Sequence, residues 1–315
     1  MRYFLKIFSL LFFCGNCFSQ DSSNFFAPAS EFHKQRFVAV AAADVAGYGG
    51  SLALLSTAWY KDYNHTAFHT FNDSREWLQM DKAGHFNVCW YLGRMGIDMM
   101  EWSGADKKRS IWYGAAGGFL YMTGIELLDG FSDGWGFSWS DLSANSLGTG
   151  LIIGQKYLAL RNSGSPVARG IRGMSVKFSF HQTTWPELRP ELLGDSVLAR
   201  QILKDYNGQS YWLSFNISSF LKTESKFPKW LNVSLGYGGE GMISGRGEYV
   251  TLENGNTLWA ERYRQYYFSV DVDLTKIKTR SHILKTVFEA LSFIKIPAPA
   301  LQVDKNGLKF HPFYY

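Results

Sequence analysis

The side chains best suited to chemistry gather in the first half of the chain. Asp81 and His85 lie four apart, which on a helix puts both on one face, with Lys82 and Phe86 beside them. Glu126 and Asp129 follow three apart within Gly124-Ile125-Glu126-Leu127-Leu128-Asp129, and Asp141 and Asn145 sit four apart after Ser138-Trp139-Ser140. Carboxylates grouped with one imidazole in apolar surroundings can act as general acid and base, or hold a divalent metal. Each residue also has a plain structural use. Ser138 with Asp141 reads as a capping box, Asp81 as a helix cap and His85 as a satisfied core histidine. Glu126 resists such a reading, because Ile125, Leu127 and Leu128 are apolar and burying it demands a partner such as Lys82 or His85. The sequence nominates His85, Glu126 and Asp141 as catalytic residues if a reaction is carried out. Asp81, Lys82, Asp129 and Asn145 are the expected binding residues around them. No residues are assigned to a metal, and the cofactor is unknown.

Weaker signals lie outside this group. His65 and His69 have the spacing of a metal-binding pair, yet the zinc-peptidase Glu does not follow the first His. Serine is given no nucleophile role. Cys89, between Val88 and Trp90, reads as a small buried hydrophobe.

These residues must be positioned by helices. Apolar residues recur at helical spacing over Phe37–Tyr60, Lys82–Trp102, Ser110–Leu128 and Ser138–Leu160. The first segment is rich in small residues, including Gly47, Gly49 and Gly50, as helices that approach closely often are. The second carries Lys82, His85, Arg94, Asp98 and Glu101, too many charges for a helix facing lipid all round. From about Gly173 the period changes to two. Strict alternation marks strands at 176–181, 213–217, 231–235 and 268–274, with three weaker ones, and turns at 236–239 and 253–256. A short helix over 281–293 precedes an aromatic C-terminus. Eight strands are needed for the smallest single-chain barrel, so a small antiparallel sheet packed on the helices is expected ahead of a barrel.

Composition sets the surroundings. Of 315 residues 46% are apolar, which excludes disorder, while 17% are aromatic and only 19% charged. Such a balance suits a protein that meets a membrane interface. Net charge is −2 over residues 1–160 and +7 over 161–315, and the basic excess is dispersed among aromatics. A nucleic-acid partner is therefore not expected, and an anionic lipid or lipopolysaccharide surface is. Arg2 and Lys6, the apolar run 7–18 and Ser19-Gln20 read as an export signal. Cys14-Gly15-Asn16 before Cys17 fits a lipobox poorly, so ordinary cleavage is expected, leaving Cys89 without a disulfide partner.

Asp81-Lys82-Ala83-Gly84-His85-Phe86, then Gly124-x-Glu126, then Ser140-Asp141-Leu142-x-Ala144-Asn145-x-x-Gly148 resembles domain-of-unknown-function family 2279, periplasmic lipoproteins of unknown function. It is more distantly similar to the VanZ-like family of small membrane proteins. The resemblance covers about residues 36–160 and implies an envelope location and a polar cluster built from Asp81, Lys82, His85, Glu126, Asp141 and Asn145. It implies no reaction. A VanZ-like protein has Gln soon after the Glu and Arg before the last Asp motif, where this chain has Leu127-Leu128-Asp129 and Gly136-Phe137-Ser138.

The expected protein is α+β. A signal peptide (1–20) precedes a membrane-associated four-helix bundle (21–160) that carries Asp-Lys-x-x-His. A strand-rich antiparallel domain (161–315) follows, as a sheet or partial barrel. It is expected at the outer membrane or its periplasmic face, binding a membrane lipid, a lipopolysaccharide surface or an envelope protein. The rival is an enzyme acting on an envelope lipid or glycan through His85, Glu126 and Asp141. An enzyme needs those groups convergent, within reach of solvent and disturbed in titration; a structural cluster needs them buried and mutually satisfied.

Overall fold

The computed structural model describes residues 25–314 except 59, 61, 62, 162, 163, 195, 222–224, 253 and 254. The expected signal segment, with Cys14 and Cys17, lies outside the described residues, as does part of the turn at 253–256. Among the described residues nine helices and eight strands follow one another: α1 Lys34–Ala58, α2 Met80–Trp102, α3 Lys107–Asp129, α4 Trp139–Leu160, α5 Pro166–Arg172, β1 Met174–Phe180, α6 Trp185–Leu188, α7 Pro190–Leu193, α8 Leu198–Lys204, β2 Gln209–Asn216, β3 Leu231–Glu240, β4 Tyr249–Thr251, β5 Thr257–Trp259, β6 Tyr263–Val272, α9 His282–Leu291, β7 Ala298–Asp304 and β8 Gly307–Tyr314. The α+β class holds.

The expected four-helix bundle does not. Helices α2, α3 and α4 pack tightly around Trp90, Ile97, Ile111, Ala115 and Ile152, with Val176 of β1 closing the cluster. Their approach rests on glycine: a Cβ on Gly96 would stand 2.3 Å from the Gly114 carbonyl oxygen, and one on Gly148 the same distance from that of Phe86. Helix α1 only leans on this trio, through Tyr48 stacked on Tyr121 with ring centroids 5.0 Å apart. Its Gly47, Gly49 and Gly50 face open space, and Val38, Val45 and Leu54 are exposed, so the small residues serve no helix contact. Capping sets the limits of the helices. Asp106 accepts the Lys108 and Arg109 amides at the start of α3, Ser138 accepts the Asp141 amide at the start of α4, and Gly104 at φ +77° turns the chain out of α2.

Six strands form one antiparallel sheet in the order β1-β2-β3-β6-β7-β8, with β4 and β5 a separate hairpin. The sheet curls without closing as a barrel, bringing the Tyr314 hydroxyl of β8 to Ser210 of β2 at 3.0 Å and to Tyr267 of β6 at 2.7 Å. Residues 236–239, expected as a turn, lie inside β3. Gly236 sits beneath the Trp212 ring, where a Cβ would come within 2.6 Å, so glycine here serves close packing.

The alternation is present, with small polar residues on the inner face. Ser210, Ser214, Asn232, Ser234, Ser269 and Asp271 are buried inside the curl, together with a cluster of Trp212, Tyr267, Ala300 and Tyr314. Lys177 and Lys295 are buried with them, 2.6 and 4.0 Å from the Asp271 carboxylate. Outside, Leu213, Leu235, Phe268, Leu301 and Phe310 stand in register across five strands, 37–61% exposed. The helices cover this outer face only toward β1 and β2. Where the halves meet, Trp90 donates to Gln155, whose amide donates to the Ile171 and Met174 carbonyls.

Three substitutions test this packing by thermal denaturation. Gly114→Ala should destabilise by about 1–3 kcal/mol, because the new methyl meets the Ile97 backbone, whereas Gly150→Ala, in open space on α4, should stabilise by up to about 1 kcal/mol. Asp271→Asn should cost about 3–5 kcal/mol, because it strips the counter-charge from two buried ammonium groups.

Candidate functional site

The site begins at the entry to α2. Trp77, Leu78 and Gln79 are three consecutive non-glycine residues in the left-handed region, at φ 47°, 51° and 64°, each costing about 1–2 kcal/mol. Contacts hold them there. The Trp77 amide donates to the Gly245 carbonyl at 2.7 Å, its ring packs on Tyr206, and Tyr237 donates its hydroxyl to the Leu78 carbonyl. This run aims the first turn of α2, with Asp81 and Lys82, toward the start of α4.

Lys82 is the hub. Its Nζ lies 2.6 Å from Asp73, 2.9 Å from Asp81 and 3.0 Å from Asp141. Asp73 Oδ1 also accepts the Ser138 and Ser140 hydroxyls at 2.6 and 2.7 Å, and Asp81 Oδ1 accepts the Tyr206 hydroxyl at 2.8 Å. Asp81 is no helix cap: α2 starts after Gln79 without a side-chain cap, and the Asp81 carboxylate serves Lys82 and Tyr206.

One turn into α2, His85 is fixed between two helices. Its Nδ1 lies 3.0 Å from Asn145 Oδ1, an oxygen that also accepts the Cys89 thiol at 3.3 Å. With the N–H on Nδ1, the Nε2 lone pair faces Glu126 Oε1 at 3.5 Å and Asp81 Oδ1 at 3.7 Å. Glu126 is 1% exposed, and its Oε2 accepts the Ser138 amide at 3.2 Å. In a capping box that amide would bond the acid three residues on; here Glu126 takes the place and Asp141 is released to Lys82. Glu126 Oε1 and Asn145 Nδ2 have no hydrogen-bond partner among the described residues. Asp129 stands one turn further along α3, bonded by the Tyr60 hydroxyl at 2.5 Å, beside the cluster rather than in it.

Four carboxylates thus surround one ammonium and one imidazole, and the excess of acid shows in their titration. Burial, then the charge of Asp129, pushes Glu126 up to about 8. Burial likewise pushes Asp129 up to about 7, against the Tyr60 hydrogen bond. Asp141 is raised by burial and by the neighbouring Asp81. Burial acts the same way on Asp73 and Asp81, yet hydrogen bonds with Asp141, Lys82, Ser138 and Ser140 hold Asp73 below the ordinary carboxylate range, and the charges of His85 and Lys82, with hydrogen bonds from Lys82 and Tyr206, hold Asp81 below it. The constellation sets a carboxyl that resists ionisation, Glu126, beside the His85 imidazole. The side chains of Asp73, Asp81, Lys82 and His85 are partly exposed, whereas Glu126 and Asp141 are buried.

Asp81, His85 and Asp141 offer ligand atoms within 4.8 Å of one another, as a metal site would require. The cation place between the two carboxylates is already filled by Lys82. His65 and His69 form no site: the chain there is not helical, and His69 Nε2 is 2.7 Å from the Trp135 carbonyl. Gly130-Phe131-Ser132-Asp133-Gly134 has the spacing of a hydrolase nucleophile elbow but joins two helices, and Ser132 Oγ is taken by the Gly134 amide at 3.2 Å. Cys89 is buried as expected, its thiol pushed up to about 12 by burial.

All seven nominated residues lie on or beside this cluster. Asp73 and Tyr206 were missed: one is in a loop and the other follows α8, over a hundred residues away, and neither shows any periodicity. Every acid, base and amide of the centre falls between Asp73 and Asn145. Residues 70–155 match the family described as predicted periplasmic lipoprotein (DUF2279). The matched stretch holds the whole centre except the Tyr206 contact. The match indicates an envelope location and no activity, and it lends no support to the VanZ-like resemblance. No curated protein and no solved structure matches the chain.

The raised carboxyls give the fold a pH signature. Glu126 and Asp129 keep protons when folded that they release when unfolded, so stability is greatest below their ordinary values and falls as pH rises toward 7–8. The melting temperature should drop by several degrees between pH 5 and 8, and Glu126→Gln should flatten that slope; an unchanged slope would contradict the assignment.

Proposed function

We propose that this protein is an envelope enzyme that works by general acid–base chemistry on a membrane lipid or glycan, seated at the outer membrane through its sheet. The observation that carries the chemistry is the placement of His85 Nε2 3.5 Å from Glu126 Oε1, a buried oxygen with no hydrogen-bond partner among the described residues. An orphaned carboxyl in a buried, partly satisfied cluster is costly for stability, and such groups concentrate where a substrate completes the set. In the proposed roles His85 accepts a proton from the substrate, Glu126 delivers one to the leaving group, and Asn145 fixes the imidazole tautomer. Asp73, Asp81 and Asp141 hold the Lys82 ammonium in place, and that cation faces the charge that develops in the transition state.

The seating is supported by polarity. The sheet turns a polar face inward and an in-register row of Leu and Phe outward, as a sheet in contact with lipid does. Trp112, Tyr113, Leu120, Trp139 and Leu147 add exposed apolar surface on α3 and α4, and residues 34–56 of α1 are long and apolar enough to cross a membrane. The cluster belongs to other helices, outside that segment.

The test is purification from native membranes with mass spectrometry of bound lipids and proteins, on wild type, His85→Ala and Glu126→Gln. A lipid or lipid-linked glycan whose chemical form differs between wild type and both variants supports the enzyme. The same lipid in all three, or a protein partner with no altered lipid, overturns it in favour of a binding or scaffolding role. Glu126→Gln, which preserves shape, keeps the test decisive if His85→Ala fails to fold.

A further inference from the structure

The two ends of the curled sheet differ. At one mouth a cavity of about 950 Å³ mixes Glu240 and Asp304 with Lys309 and His311, and so selects no charge. At the other, a smaller pocket of about 320 Å³ is lined by Arg169, Arg172, Lys229 and Lys276, together with Ser218 and Ser219. Among its described lining residues there is no carboxylate. From these observations we propose that this basic pocket binds a phosphate group.

The pocket is built rather than incidental. Arg169 and Arg172 come from the last turn of α5, and the serines from the turn that follows β2. Two glycines press these walls together: a Cβ on Gly173 would stand 2.2 Å from Ser219 Oγ, and one on Gly170 would stand 2.8 Å from the Phe220 ring. Both serine hydroxyls rest on Asn216 Oδ1, while the Asn216 amide is held by the Lys229 carbonyl and Asn232 Oδ1, each at 2.7 Å. Arg169 Nε is buried with no hydrogen-bond partner among the described residues, a donor awaiting an acceptor. Guanidinium forks pair with phosphate oxygens two at a time, and the lysine ammonium groups can take the rest.

The phosphate can come from a lipid headgroup or be free in solution. Position favours the headgroup. Val167, Phe220 and Trp230, each within two residues of a lining side chain, are exposed, and basic groups beside exposed aromatics suit the level of lipid phosphates. The pocket shares no residue with the acid–base centre, so either proposal can fail while the other stands.

Isothermal titration of the full chain in zwitterionic detergent tests this, with dihexanoyl phosphatidylglycerol in one arm and inorganic phosphate in the other. One-to-one binding is expected. Arg169→Gln with Arg172→Gln should weaken it about thirtyfold. Lys107→Gln with Lys108→Gln, the same charge change on α3, should leave it unaltered. Saturation by the lipid alone assigns a headgroup, and saturation by both probes assigns phosphate from either source. No saturable binding of either probe by wild type, or equal weakening in both double variants, overturns the site. The wild-type stoichiometry decides the matter even if the arginine variant is unstable.

Discussion

One ammonium group organises the helical half. Among the described residues Lys82 is the one lysine or arginine paired with Asp73, Asp81 and Asp141, and these come from a loop, from α2 itself and from the first turn of α4. Removing it would leave three poorly hydrated carboxylates facing one another, a far larger penalty than the loss of any single pair. The demand to bring the ammonium to that point explains the left-handed run at Trp77 to Gln79, because no ordinary helix entry would aim residue 82 at the start of α4. Once Lys82 is placed, the helical repeat delivers His85 between Glu126 and Asn145. The acid–base pair is thus a geometric by-product of the ion cluster, and backbone strain beside a site of this kind is what a positioned centre requires.

The two halves of the chain solve burial in opposite ways. In the helices Trp90, Ile97 and Ile152 go inward and glycines let the backbones touch. In the sheet Ser, Asn, Asp and Lys go inward and form a continuous polar network, from Asn216 through Asn232 and Ser214 to Asp271. A buried network of that kind is stable to the extent that its members are bonded: Lys177 and Lys295 also donate to the Val272 and Val270 carbonyls, while Ser234 Oγ and Asp271 Oδ1 have no hydrogen-bond partner among the described residues. At the seam Val176 joins the helical cluster, Asn87 donates to the Lys177 carbonyl and Gln155 to those of Ile171 and Met174.

Much of this was legible in the sequence, for reasons that can be named. The bodies of α2, α3 and α4 follow from apolar periodicity, and Ser138 marks the start of α4, whereas the Asp106 cap and the Gly104 turn came from the structure. Glu126 stood out because an acid among Ile and Leu has to be explained. Asp73 and Tyr206 were not legible, because a loop and a distant segment carry no period that would aim them at Lys82. The four-helix bundle failed because small residues in α1 look the same whether or not another helix covers them. Alternation located the strands but left their sense open: a period of two says that the faces differ, and only the neighbours decide which one turns inward. The Gly-Tyr-Gly-Gly of β3 misled because glycine serves close packing under Trp212 as well as turns.

The outward row has a consequence for how the chain is made. Leu308, Phe310 and Phe313 lie on β8, an edge strand, with Leu301 and Val303 beside them on β7, all exposed. In water an unpaired edge carrying such a stripe is a template on which a second copy can align. In the chain these strands follow the helical half, so the adhesive stripe is made after the residues that cover β1 and β2. The yield of native protein then depends on how soon that edge is shielded, and not only on the depth of the folded minimum.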